Sequence, residues 1–154
     1  MITLRDEVEI EAPPERIFDW LCHLDENYLA WHPDHVECRY LSEGPLAEGS
    51  VIHCEEYLHG ELHKLELQAT KVIPNVCLEY KAGPGMRGAF RIEPRGTASL
   101  FVATLSFGVD IPLFGWVFDK ITCIALSNRI VAFKQHMVEE GRNLKQIIEA
   151  GRDW

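Results

Sequence analysis

The stretch Arg129-Ile130-Val131-Ala132-Phe133-Lys134-Gln135-His136-Met137-Val138-Glu139-Glu140-Gly141-Arg142-Asn143-Leu144-Lys145-Gln146-Ile147-Ile148 carries its apolar residues at helical spacing. Ile130, Phe133, Met137, Leu144 and Ile148 form one stripe. The same pattern runs from about Trp116 to Ala150, so the chain closes on one long helix. Gly141 inside it costs about 1 kcal/mol relative to alanine without ending it. A helix this long with a single apolar stripe needs a broad apolar surface to lie on.

The chain upstream supplies such a surface. Strand patterns fall at about residues 36–43, 50–59, 62–73, 76–82, 88–94 and 98–109, with turn signals at Glu43-Gly44-Pro45, His59-Gly60, Pro74-Asn75, Gly83-Pro84-Gly85 and Pro94-Arg95-Gly96. Before them, Ile2, Leu4, Val8 and Ile10 alternate with Thr3, Arg5, Glu7 and Glu9 in a half-buried strand. Pro14 then opens a helix carrying Ile17, Phe18, Trp20, Leu21 and Leu24, and a second short helix follows through Asn27-Tyr28-Leu29-Ala30. The predicted order is one strand, two short helices, six strands and one long helix. This is an α+β arrangement in which a curved antiparallel sheet of about seven strands wraps the C-terminal helix. An apolar pocket is expected between them, of the kind that takes small apolar ligands.

The 154 residues fit one domain, residues 1–154. A net charge of −9, with no lysine-arginine stripe, argues against nucleic acid or an anionic membrane as partner. The partner expected instead is a small hydrophobic or aromatic molecule, bound by a monomer or homodimer. The charged start Met1-Ile2-Thr3-Leu4-Arg5-Asp6-Glu7 does not read as a signal peptide. Cys22, Cys38, Cys54, Cys77 and Cys123 are odd in number and widely spaced, as expected of reduced, buried thiols in a cytoplasmic protein. The apolar region Ala98 to Phe118 is interrupted by Gly108, Asp110 and Pro112, so it reads as a strand and a loop rather than a membrane span.

Polar residues in the wrong places carry the functional signal. Trp31-His32-Pro33-Asp34-His35 puts two imidazoles at the junction of helix and strand, and His32, before a proline, is biased away from the α region. In the strand at 50–59, Glu56 shares the apolar face of Ile52, Cys54 and Leu58. In the next strand His63 shares the face of Leu65, Leu67 and Ala69, which places it beside Glu56. An inward carboxylate is costly unless paired or coordinated. Either these two positions bind something or they lie at wet strand ends where alternation fails. On the long helix, His136 and Glu140 are spaced i,i+4 on one face, and Glu140 falls inside the apolar stripe. Three separate regions thus offer histidines and carboxylates to one pocket, a set that suits zinc, with manganese or ferrous iron as alternatives.

The chain resembles the START-like (SRPBCC) superfamily of polyketide cyclases and Bet v 1-type proteins, the helix-grip fold. The resemblance lies in Val8-Glu9-Ile10-Glu11-Ala12-Pro13-Pro14-Glu15-Arg16-Ile17-Phe18, in Glu43-Gly44-Pro45-Leu46-Ala47-Glu48-Gly49-Ser50 and in the long helix. The Trp31–His35 run, Glu56 and the segment around His136 are similar to a narrower branch, the metal-dependent 2,4-diacetylphloroglucinol hydrolases, which cleave the carbon–carbon bond between an acyl group and an aromatic ring. That resemblance implies His35, or else His32, together with Glu56 and His136 as metal ligands, with His63 as the nearest candidate for a further histidine. Glu140 or His32 would then hold a supporting hydrogen bond or move a proton.

Trp20, Trp31, Tyr80, Phe90, Phe101 and Phe107 are the expected pocket lining. The function that the resemblance implies is hydrolysis of the carbon–carbon bond of a small hydrophobic, aromatic ketone. Two alternatives stand beside it: a non-enzymatic binding protein for small hydrophobic ligands, and a metal-free polyketide cyclase or dehydratase using His and Glu as acid and base.

Overall fold

The structure is a computed structural model that describes residues 1–108 and 115–151. Strand β1 (Ile2–Ile10) leads into helices α1 (Pro14–Cys22) and α2 (Leu24–Trp31). Six strands follow: β2 (His35–Tyr40), β3 (Val51–Leu58), β4 (Glu61–Ile73), β5 (Cys77–Ala82), β6 (Met86–Arg95) and β7 (Ala98–Phe107). Helix α3 (Gly115–Ala150) completes the helix-grip arrangement. The strands form one antiparallel sheet in the order β1-β7-β6-β5-β4-β3-β2. Because β2 and β1 are its two edges, the chain returns from one end of the sheet to the other through a meander.

Local chemistry accounts for the joints. Pro14 at the start of α1 needs no amide partner there. His59 and Gly60 both take positive φ, 55° and 74°, so β3 and β4 are joined by a two-residue turn whose twist matches the sheet. Pro94, expected in a turn, instead lies in β6 opposite Ser99. It is tolerated because the pairing with β5 ends at Arg91, which leaves that side of β6 without a neighbour to bond.

Helix α3 crosses the concave face against β1, β3 and β7. Met137, Leu144 and Ile148 are buried among Ile10, Ile17, Leu21 and Phe101, while Phe133 is half-buried against the same core. Gly141 lies where α3 crosses β1. A Cβ there would stand 3.1 Å from Asp6 Oδ2 and 3.5 Å from Val8 Cγ1, so the close crossing explains a glycine that helix propensity disfavours. Among the described residues no helix is long and apolar enough to cross a membrane. Of the breaks expected after the apolar strand, Gly108 follows β7, while Asp110 and Pro112 lie outside the described residues. Cys22, Cys38, Cys54 and Cys77 are free thiols, the last two buried and the first two half-buried.

Candidate metal centre

Helix α2 ends at His32, whose extended backbone (φ −149°, ψ 141°) is the conformation that Pro33 imposes. The turn that follows is closed by the His35 amide donating to the His32 carbonyl at 3.1 Å, and His35 is the first residue of β2. The junction is anchored to α3 from both sides of Trp31. The indole N–H donates to the Glu140 carbonyl at 2.9 Å, and the Asn143 side-chain amide donates to the Trp31 carbonyl at 2.9 Å. This clamp holds the end of α2 over the part of α3 that carries His136 and Glu140.

Four side chains converge there. His35 pairs with Glu56 across β2 and β3. His35 Nε2 lies 3.1 Å from His136 Nε2, 3.0 Å from Glu140 Oε1 and 3.5 Å from Glu56 Oε2. His136 Nε2 lies 3.4 Å from both Glu140 Oε1 and Glu56 Oε2. Five of the six edges of this four-atom figure therefore measure 3.0–3.5 Å. Ligand atoms about 2.0–2.2 Å from a tetrahedral zinc stand roughly 3.3–3.6 Å apart, so the donor set fits such an ion in both chemistry and size.

The surroundings orient these groups. His35 Nδ1–H donates to the Tyr28 carbonyl at 2.7 Å, which leaves Nε2 as the free lone pair facing the centre. The Tyr28 ring stacks on the His35 ring at 3.7 Å, and its hydroxyl donates to Glu56 Oε2 at 2.9 Å. Burial and the Glu56 carboxylate push the Tyr28 hydroxyl well above its ordinary pKa, so it remains a donor. His136 carries a proton when no ion is present. Burial disfavours that charge, but the bonds to Glu140 and Glu56 outweigh it and raise the pKa to about 10. Burial likewise acts against the Glu140 carboxylate, and the bond from His136 together with the nearby imidazoles outweighs it and holds the pKa at about 2.

His32 stands apart from this set. Its Nδ1 accepts the Asp34 amide at 3.0 Å, which places the proton on Nε2, and Nε2–H donates to Glu139 at 2.6 Å. Both nitrogens are engaged, and the ring packs on His136 with centroids 4.2 Å apart. His32 is therefore a brace for His136, and His35 is the junction histidine that faces the centre. His63 is paired with Glu56 from the opposite side, on β4, and is half-buried. It is not among the four converging groups; the Glu56 carboxylate accepts the Tyr28 hydroxyl and faces His35 and His136. Glu140, read from the sequence as a supporting or proton-moving group, occupies the fourth corner instead.

A cavity of about 100 Å³ opens beside the centre, and Glu56, His136 and Glu140 form part of its wall. His35 is not part of that wall, so the open side of the centre is the side bounded by the other three. Trp31, Tyr80 and Phe90 line the cavity as expected. Trp20, Phe101 and Phe107 do not. Trp20 meets the far edge of Trp31, Phe101 stacks behind Phe90, and Phe107 packs on Phe133. Alternation places these side chains on the inner face but does not say which reach the cavity. Tyr28, Cys54, Met86, Phe133 and Met137 are further wall residues. Tyr28 had one sequence signal, its i,i+3 spacing to Trp31 on α2. The Tyr80 ring lies directly over Gly88, its cross-strand partner, and its hydroxyl has no hydrogen-bond partner among the described residues.

Residues 1–140 match the model of a family described as polyketide cyclase / dehydrase and lipid transport. No curated protein matches the chain. Similar solved structures include TTHA0849 from Thermus thermophilus, at 17% identity and TM-score 0.74, covering 99% of this chain and 100% of that one. The Zhui aromatase/cyclase from Streptomyces sp. R1128 is similar at 17% identity and TM-score 0.64, covering 97% and 98%. A START superfamily protein from Mycobacterium smegmatis is similar at 18% identity and TM-score 0.65, covering 96% and 97%. At these identities the likeness establishes a shared fold.

Proposed function

Because the chain belongs to the polyketide cyclase / dehydrase and lipid transport family, we propose that its cavity takes up a small apolar carbonyl compound and that His35, Glu56, His136 and Glu140 hold a divalent metal, zinc foremost. The reaction is hydrolysis of the carbon–carbon bond between the acyl group and the ring of an aromatic ketone. The observation that carries this reading is the near-tetrahedral set of edges, 3.0–3.5 Å, among two imidazole nitrogens and two carboxylate oxygens. Four protein ligands fill a tetrahedral zinc, so water or a carbonyl would have to enter as a fifth ligand from the cavity side, where such an ion would lower the pKa of that water toward neutrality and polarise the carbonyl.

The chain's own residues supply the rest. The Tyr28 carbonyl fixes the His35 tautomer, and the Tyr28 hydroxyl fixes the orientation of Glu56. Trp31, Phe90, Phe133 and Met137 exclude bulk water from the reacting bond. The unpartnered Tyr80 hydroxyl is a donor available to a ligand oxygen. In the reaction water's oxygen goes to the acyl carbon and a proton to the ring carbon, giving a carboxylic acid and a deacylated arene. Tyr28 and Tyr80 bring phenolic hydroxyls to the wall, and Glu56 and Glu140 are its carboxylates. About 100 Å³ is less than the roughly 150 Å³ of an apolar cavity that takes benzene, so a one-ring ketone must displace wall side chains. Met86 and Met137, unbranched and easily rotated, are suited to that.

A second reading is favoured by the family description and by the aromatase/cyclase among the similar structures. On it the protein is a metal-free cyclase, or a binder of small hydrophobic ligands, and the His–Glu cluster is an internal ion-pair network. The two readings separate on one assay. Zinc-loaded protein is incubated with hydroxyphenyl ketones, whose acyl group sits on a ring carbon, and the released acid is measured with and without a chelator. Release that stops on chelation and returns with zinc supports the hydrolase. Turnover or ligand binding indifferent to chelation supports the second reading.

A further inference from the structure

Cys38 and Cys54 are directly opposed on the antiparallel strands β2 and β3, and their side chains meet on one face. Cys54 Sγ donates to Cys38 Sγ at 3.5 Å, and both are free thiols. Cys54 is 1% exposed and forms part of the cavity wall, whereas Cys38 is half-buried. The same two strands carry the paired residues His35 and Glu56. The proposed metal chemistry does not use either thiol.

The geometry points to a redox-active pair, in which Cys38 and Cys54 form a reversible disulfide when the protein meets a small peroxide. Cys38 is the sulfur an oxidant reaches, being the less buried of the two and the acceptor of the S–H···S bond. Its sulfur displaces one peroxide oxygen, giving a sulfenic acid and the alcohol, or water when the oxidant is hydrogen peroxide. Cys54 sulfur then attacks Cys38 sulfur and expels water. Two thiols are oxidised, one peroxide is reduced, and one disulfide forms. Closing 3.5 Å to the S–S bond length of about 2.05 Å requires only side-chain rotation and a small approach of two strands that are already paired. The bond fastens the sheet edge that presents His35 and Glu56. Reduction by a thiol restores both groups.

The test exposes the folded full-length chain to hydrogen peroxide, alkylates it under denaturing conditions and maps the peptides by mass. The expected product joins the Cys38 and Cys54 peptides with the loss of two hydrogens, and dithiothreitol reverses it. Cys38→Ser abolishes the cross-link. Cys54→Ser leaves the Cys38 sulfenic acid without its partner, so dimedone labels Cys38, a gain of signal that a misfolded variant with scrambled reactivity would spread over Cys22 and Cys77. Both thiols recovered fully alkylated after oxidation, Cys38 driven to sulfinic acid with Cys54 free, or a disulfide between other cysteines would each overturn the proposal.

Discussion

His35 Nε2 and His136 Nε2, from residues 101 positions apart in the chain, lie 3.1 Å from each other with Glu140 Oε1 within 3.4 Å of both. Two imidazole nitrogens at that separation need either a shared proton or a shared cation between them. The first condition holds in the structure as it stands, with His136 as the protonated partner. The second is the proposed working state, and the predictions below follow from the exchange of one for the other.

Replacing His32 by alanine removes the bonds to Glu139 and to the Asp34 amide and leaves His136 without its packing neighbour. Groups that brace ligands typically influence metal affinity about 10- to 100-fold. Zinc affinity of the His32→Ala variant, measured by competition with a chromogenic chelator, is expected to fall within that range while one equivalent still binds. Unchanged affinity would show that the brace is unnecessary.

The metal-free protein should have a stability optimum set by the His136–Glu140 pair. The His136 pKa is raised from 6.5 to about 10, so its contribution is complete below pH 6.5 and is lost as pH rises through about 10. The Glu140 pKa is lowered from 4.5 to about 2, so its contribution is complete above pH 4.5 and is lost as pH falls through about 2. Urea midpoints of the metal-free protein should therefore decline on the alkaline side between pH 6.5 and 10. That alkaline decline should be shallower in His136→Gln than in the parent chain.

Gly88 exists for Tyr80. A Cβ at position 88 would stand 2.2 Å from the Tyr80 ring carbon Cζ and hydroxyl oxygen, which cannot be relieved without turning the ring out of its place. Gly88→Ala is expected to cost about 1–3 kcal/mol, the usual range for overpacking, and to weaken binding of an apolar dye in the cavity. Denaturant titration and dye fluorescence on the same preparation measure both effects. A variant that keeps parental stability and dye affinity would mean that Tyr80 has room to move.

Much of this was legible before any coordinates. Alternation put Glu56 on the buried face, and helical projection put Glu140 inside the stripe that faces the core. The proline after His32 foretold its extended backbone. The helix-grip arrangement and the family also agree with what the sequence resembles, whereas the hydrolase branch remains a proposal. What the chain alone could not give is depth and lateral position. Trp20, Phe101 and Phe107 are on or near the inner face yet pack behind the cavity wall. His63 and Glu140 were both inward, and choosing between them required knowing that α3 and α2 meet over β2 and β3 rather than over β4. The glycines at 88 and 141 answer to Tyr80 and Asp6, contacts that no local pattern encodes.

In the proposed working state His35, Glu56, His136 and Glu140 hold one divalent ion. The most direct test of that assignment is zinc content by elemental analysis after metal-free protein is reconstituted and desalted, run beside Glu140→Gln and His63→Ala. The parent chain and His63→Ala should retain one zinc per chain, and Glu140→Gln should retain markedly less. A parent chain that keeps no zinc, or a Glu140→Gln variant that keeps it as tightly as the parent does, would contradict the assignment.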